Sequence, residues 1–310
     1  MKLFVYLSLV FVIIVSSCDS QYTKPVFVAT SHPIGMILKQ ITRTHADVEI
    51  LVSPGESPHT FSPKPSDAYK INSSKAVFYA SDLLDGWITK MEGGEKIEMI
   101  RLVPEEYRLP FDSMHKHEHQ DNNDHDHGHD HDNEGTDNDT NQVIDPHFWT
   151  DPVTVKAMVD NLVDTLSVID PDNAGSYRAN AELFKNRLDL LAKQVAKILD
   201  EVKGKPVFLF HPSFRYMINR FGLEYAGAIE TSPGKEPSPK YLNELIKKIN
   251  KAGAKAIFTE PQLSREPAEA IAESATVLLF ELDPIGGVEG RYAYTDMIIY
   301  NARTLRKALK

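Results

Sequence analysis

The sequence predicts an α/β protein with two parallel-sheet lobes joined by one long rigid helix. Three observations carry this. Short apolar runs alternate with helical patterns before residue 113, which is the pattern of parallel strands covered by helices. The same alternation restarts after Gly204. Between the two, a helical pattern runs from Asp170-Pro171 to about Val202, roughly 45 Å at 1.5 Å per residue. The expected organisation is a leader over 1–18, an N-terminal lobe over 19–169, a linking helix over 170–203 and a C-terminal lobe over 204–310.

The elements follow in order. Pro25–Thr30 (PVFVAT) reads as a buried strand, and Pro33 starts a helix with Ile34, Ile37, Leu38 and Ile41 on one face. Val48–Val52 is the next strand, ending in SPGESPHTFSPKPSD, a turn crowded with Pro, Gly and Ser. Asp67–Ile71 reads as helix, Ala76–Ala80 as strand, Leu83–Met91 as helix and Ile97–Leu102 as a weaker strand. An amphipathic helix spans about Pro152–Val168. In the second half, strands are expected at Val207–Phe210, Glu224–Ile229, Ala256–Thr259 and Val277–Leu282. Helices are expected within HPSFRYMINRFG and at Pro239–Ala252, Glu266–Ser274 and Tyr292–Leu309.

Composition is that of a soluble globular chain: 310 residues, 42% hydrophobic and 25% charged. The formal charge of -10 is local, since ten acidic residues against Lys116 carry -9 of it between Asp112 and Asp139. The remainder is nearly neutral and has no basic stripe, so nucleic acid is not an expected partner. Residues 1–18 read as a targeting segment, with Lys2, an apolar run over Leu3–Val15 and small residues before the only cysteine, Cys18. The run is too short for a comfortable membrane span. The stretch Val15–Cys18 (VSSC) resembles a bacterial lipobox, which implies lipidation of Cys18 and a membrane anchor. One cysteine excludes an internal disulfide.

The tract from Ser113 to Thr140 has almost no apolar side chains and is expected to be a disordered insertion. It holds His115, His117, His119, His125, His127, His129 and His131, seven of the twelve histidines. Alternating His and Asp point to weak, accessory metal collection.

In open α/β sheets, ligands collect beyond the carboxyl ends of the strands. His59, His211 and Asp283 each occupy such a place, and His147 lies in the Pro-flanked stretch DPHFWTDP, residues 145–152. Singly, a turn histidine or an Asp after a strand is usually a polar loop residue or a cap. Together, three imidazoles and one carboxylate make an N₃O set suited to tetrahedral Zn²⁺. Two come from each lobe, so the site is expected in the cleft. His32 and His45 are not expected to be ligands: His32 stands near the cleft, and His45 in an exposed connection. Glu260, which follows a strand in FTEPQ, is a candidate for orienting a ligand histidine.

The stretches GESPHTFSPKPSD, DPHFWTDP, FHPSFRYMINRFGL, IFTEPQ and ELDPIGG resemble those of zinc-specific solute-binding lipoproteins of bacterial ABC importers, the ZnuA-like type, and span nearly the whole mature chain. The resemblance implies two α/β lobes on a backbone helix, a ligand set at His59, His147, His211 and Asp283, and an acidic His-rich loop. It implies a Zn²⁺ carrier that hands its cargo to a membrane permease, lipid-anchored outside the cytoplasmic membrane, expected as a monomer. Some zinc members carry an acidic residue immediately before the first histidine, where this chain has Pro58, with Glu56 three before. The fourth ligand therefore stays open between Asp283, Glu56 and a water. A zinc hydrolase is the competing expectation, against which stand the absence of HExxH and of a nucleophile elbow. Adhesion is a third reading that no residue specifically supports.

Overall fold

The computed structural model describes residues 26–111, 143–230 and 237–310. The N-terminal lobe is built from β1 (Val26–Ala29), α1 (His32–Thr42), β2 (Asp47–Ile50), α2 (Pro65–Ser73), β3 (Ala76–Tyr79), α3 (Asp82–Asp85), β4 (Glu95–Glu98) and α4 (Met99–Leu102). Then come α5 (Pro152–Ile169) and the long α6 (Ala174–Leu199). The C-terminal lobe holds β5 (Pro206–Leu209), α7 (Arg215–Arg220), β6 (Glu224–Ala228), α8 (Pro239–Lys251), β7 (Ala256–Thr259), α9 (Glu266–Ala275), β8 (Leu278–Glu281) and α10 (Tyr294–Leu309).

Each lobe carries a four-stranded sheet with the same winding, β2-β1-β3-β4 and β6-β5-β7-β8, and every pairing is parallel. Burial follows position in the sheet. Central β3 and β7 are buried along their whole length, while the edge strands β2 and β8 start exposed. This is why AVFY and AIFT are continuous apolar runs and DVEI is not.

Two expected elements are split. Leu83–Met91 is α3 followed by a 3-10 turn at Gly86–Lys90, because Ser81 caps the short helix through Leu84 N–H at 3.3 Å and the chain tightens at Gly86. Ile97–Leu102 is the end of β4 and then α4; Ile100 N–H turns back to the Ala80 carbonyl at 3.0 Å, and Met99 and Ile100 go into the core.

The linking helix α6 has 26 residues, about 39 Å of regular helix. A 3-10 turn at each end, Pro171–Asn173 and Asp200–Val202, completes the expected run. Its buried residues Tyr177, Ala181, Phe184, Leu188, Leu191, Val195 and Leu199 recur every three to four positions and form one apolar stripe. That stripe joins Phe27 and Phe78 of the first sheet and Leu209 and Phe258 of the second into one hydrophobic core. Fully burying a Leu or Phe is worth about 1.5–3 kcal/mol. A shared core of this kind fixes the lobes against α6 rather than leaving them on a flexible linker.

Residues 145–152 are all buried, wedged between the lobes. Trp149 donates its indole N–H to the Pro284 carbonyl at 2.8 Å, and the Tyr294 hydroxyl donates to the Trp149 carbonyl at 2.8 Å. Arg220 holds Asp151 at 2.7 Å. The N-terminal lobe's last loop is thus tied to the C-terminal lobe at both ends.

Candidate metal centre

His59 stands in the irregular segment after β2, where Trp87 donates to the Pro58 carbonyl at 3.3 Å and stacks on Phe61 with ring centroids 5.1 Å apart. His147 precedes the 3-10 turn Phe148–Thr150. His211 lies just beyond β5. The fold brings these three together: one ring nitrogen of each lies within 4.8 Å of the others. The ring centroids are 4.9–5.6 Å apart.

The geometry suits a small cation. His147 Nε2 and His211 Nε2 are 3.3 Å apart. Two nitrogens bound to tetrahedral Zn²⁺ at 2.0–2.1 Å are separated by about 3.3–3.4 Å. Protonation is arranged for ligation as well. His147 Nδ1 donates to Asp145 Oδ1 at 2.8 Å, which leaves the Nε2 lone pair facing His211. Asp145 is itself held by the His147 backbone N–H at 3.0 Å and by Arg215 at 3.3 Å. This carboxylate–histidine pair fixes the ring orientation. His59 Nε2 is buried with no hydrogen-bond partner among the described residues, a costly arrangement unless something accepts its lone pair.

Burial, then the neighbouring His147, pushes His59 down to about 3. Burial, then His147 and His59, holds His211 well below its ordinary value. Both imidazoles are therefore unprotonated at neutral pH, as ligation requires.

The other candidates are placed differently. Asp283 is buried after β8 but is not in the cluster of ligand atoms. Its Oδ1 accepts from Ile285 N–H at 3.0 Å, Gly286 N–H at 2.9 Å and Gln262 Nε2 at 3.1 Å. Its Oδ2 lies 3.0 Å from Arg291 Nε. Glu56 is exposed and accepts from Ser53 N–H at 3.1 Å within its own turn, outside the cluster. Glu260, beyond β7, lines the same pocket as the three histidines and accepts from Ser213 Oγ at 2.5 Å. Burial pushes its carboxyl up to about 8, with the charges of Asp283 and Glu230 adding to the rise, so it is mostly protonated at pH 7. It touches no ligand histidine through a hydrogen bond; Asp145, two residues before His147, has the orienting role expected of Glu260. The spacing D-x-H in DPHFW was the available signal.

His32 is half-buried at the first position of α1, against Gly287. His45 is half-buried rather than exposed, because its connection folds back through His45 N–H to the Thr42 carbonyl at 2.9 Å. Cys18 and His115, His117, His119, His125, His127, His129 and His131 lie outside the described residues.

Two parallel α/β lobes on a rigid helix, with three imidazoles converging from both, define a two-lobed metal-binding protein. The family model for the zinc-uptake complex component A, periplasmic (ZnuA), matches residues 27–308, and the chain belongs to this family. It is 32% identical over 303 residues to the high-affinity zinc uptake system protein ZnuA of Brucella abortus (strain 2308), covering 91% of each chain. It is 29% identical over 263 residues to the zinc-binding protein AdcA of Streptococcus pyogenes, spanning 84% of this chain and 50% of that longer one. Among solved structures, a ZnuA crystal structure superposes with a TM-score of 0.74 at 22% identity, covering 93% and 100% of the two chains. The periplasmic zinc-binding protein TroA from Treponema pallidum superposes with a TM-score of 0.75 at 19% identity, covering 93% and 99%. These superpositions show the fold. No helix among the described residues is long and apolar enough to cross a membrane.

Proposed function

We propose that this chain captures Zn²⁺ outside the cytoplasmic membrane at His59, His147 and His211 and delivers it to the permease of an ABC importer. The observation that supports this reading most is the convergence of three imidazoles from two lobes, two of them buried and one half-buried, with His147 and His211 at the tetrahedral nitrogen spacing. A fourth, oxygen ligand completes the shell, and Asp283 is the candidate because the next residues of its loop, Pro284 and Ile285, line the pocket of the three histidines. Membership of a zinc-uptake family favours a carrier over a zinc hydrolase. Cys18 supplies the lipid anchor, and the folded body acts as a monomer. The His-rich tract gathers zinc weakly near the site.

Imidazole favours Zn²⁺ over Mn²⁺, which prefers oxygen ligands. The test is metal analysis of the full chain purified without added metal, followed by competition titration with zinc and manganese. One tight zinc site that is lost in His59→Ala, His147→Ala and His211→Ala is the expected result, with His211→Glu moving the preference toward manganese. Equal affinity for both metals, or retention of the tight site in all three alanine variants, refutes the proposal.

A further inference from the structure

Asp283 is held in an uneven way. Three donors bond its Oδ1: two backbone N–H groups of its own loop and the Gln262 amide. Among the described residues its Oδ2 meets only Arg291, whose Nε is 3.0 Å away. That contact lacks hydrogen-bond alignment, because Arg291 Nε is buried with no hydrogen-bond partner. The pair is a charge contact, and it ties up the oxygen of Asp283 that the loop leaves free.

Both residues are fixed at their backbones. Asn301 of α10 accepts from Asp283 N–H at 2.8 Å and donates to the Asp283 carbonyl at 2.7 Å. The carboxylate can therefore change its reach only by side-chain rotation. Arg291 N–H bonds the Val288 carbonyl at 2.9 Å, its own carbonyl accepts from Gly287 N–H at 3.0 Å, and its guanidinium lies over the Tyr300 ring at 4.3 Å. Gly287 has φ +80°, and a Cβ there would fall 2.6 Å from the His32 ring. The loop from Asp283 to Arg291 thus lies closed against α1 of the other lobe, with a carboxylate at one end and its counter-cation at the other.

Three neutral imidazoles leave the full charge of a divalent cation uncompensated, and the cluster itself contains no carboxylate. We propose that Arg291 sets the metal affinity of this site by competing with the cation for Asp283 Oδ2: a metal that takes Asp283 as its fourth ligand must displace the guanidinium. Arg291 acts through Asp283 and is a positioning residue, not a ligand. Pro284 and Ile285 of the same loop line the pocket that holds the three histidines. The proposal rests on zinc binding at the three histidines.

The experiment is zinc competition titration against a chelator on the full chain. The variants are Arg291→Gln, Arg291→Met, Asp283→Asn, the Asp283→Asn/Arg291→Gln double variant, and His211→Ala as control, with circular dichroism confirming each fold. Arg291→Met keeps an aliphatic stem against Tyr300 and serves if the Gln variant does not fold. The expected result is zinc binding tightened at least tenfold by either Arg291 change, and no tightening when Asp283 is already Asn. Asp283→Asn alone weakens binding. Unchanged or weaker binding in the Arg291 variants overturns the proposal. So does equal tightening with and without Asp283, which would mark simple removal of a nearby charge. Tight binding retained by His211→Ala instead overturns the underlying assignment of the site.

Discussion

At the scale of residues, the site is a problem of keeping imidazoles neutral. His59 and His211 lose their charge mainly through burial, so their lone pairs survive well below the usual histidine range. These two imidazoles therefore keep their lone pairs as the pH drops through about 6.5, the value of an exposed histidine. Stability moves in the same direction as binding, but in a different pH window. Unfolded, both histidines take protons below about 6.5; folded, they do not. Their stabilisation is therefore complete above that pH and is lost as pH falls toward about 3, the folded value of His59. Urea unfolding of the chain without zinc should show a midpoint that drops steadily between pH 7 and 5. Affinity at the tight site, measured over the same range, should change much less. A zinc affinity linked to the release of two protons near pH 6.5 would contradict this. Neither shift was legible in the sequence, because burial of a turn histidine depends on Trp87, Phe61 and the opposite lobe.

At the scale of elements, most of the architecture was legible and the reasons are specific. AVFY and AIFT are uninterrupted apolar runs because both faces of the central strands are covered, and the stripe on α6 recurs without a break through seven turns. The start of α4 was not legible, because Ile100 N–H finds its partner in the Ala80 carbonyl after β3, and the short α3 was not, because the Ser81 cap and the 3-10 turn that follows are local hydrogen-bond choices. The two described flanks of the His-rich tract are joined to each other: Phe111 N–H bonds the Val143 carbonyl at 2.6 Å, and Asp145 N–H the Leu109 carbonyl at 2.8 Å. Arg215 clasps the same junction through the Pro110 carbonyl at 2.8 Å. Asp145 orients His147, so this junction supports the site whatever occupies the tract between. Deleting residues 113–140 should leave one tight zinc site and remove weak ones, read by isothermal titration. Loss of the tight site would show that the tract supplies a ligand.

At the scale of the whole molecule, the three histidines come from segments far apart in sequence, and the shared core around α6 decides how far apart they stand. The three histidines were identifiable from their places after strands and in DPHFWTDP and were expected to meet in the cleft, but the distances between them were not legible. Nor was the commitment of Asp283 to Arg291, a pairing set by a loop closed on α1. The central claim is that zinc sits between the lobes on three imidazoles. The most direct measurement is a crystal structure of the chain loaded with one equivalent of zinc, with anomalous data collected at the zinc edge. The account predicts one strong peak at about 2.0–2.1 Å from a ring nitrogen of each of His59, His147 and His211. Zinc located elsewhere, or bound by fewer than these three histidines, would contradict it.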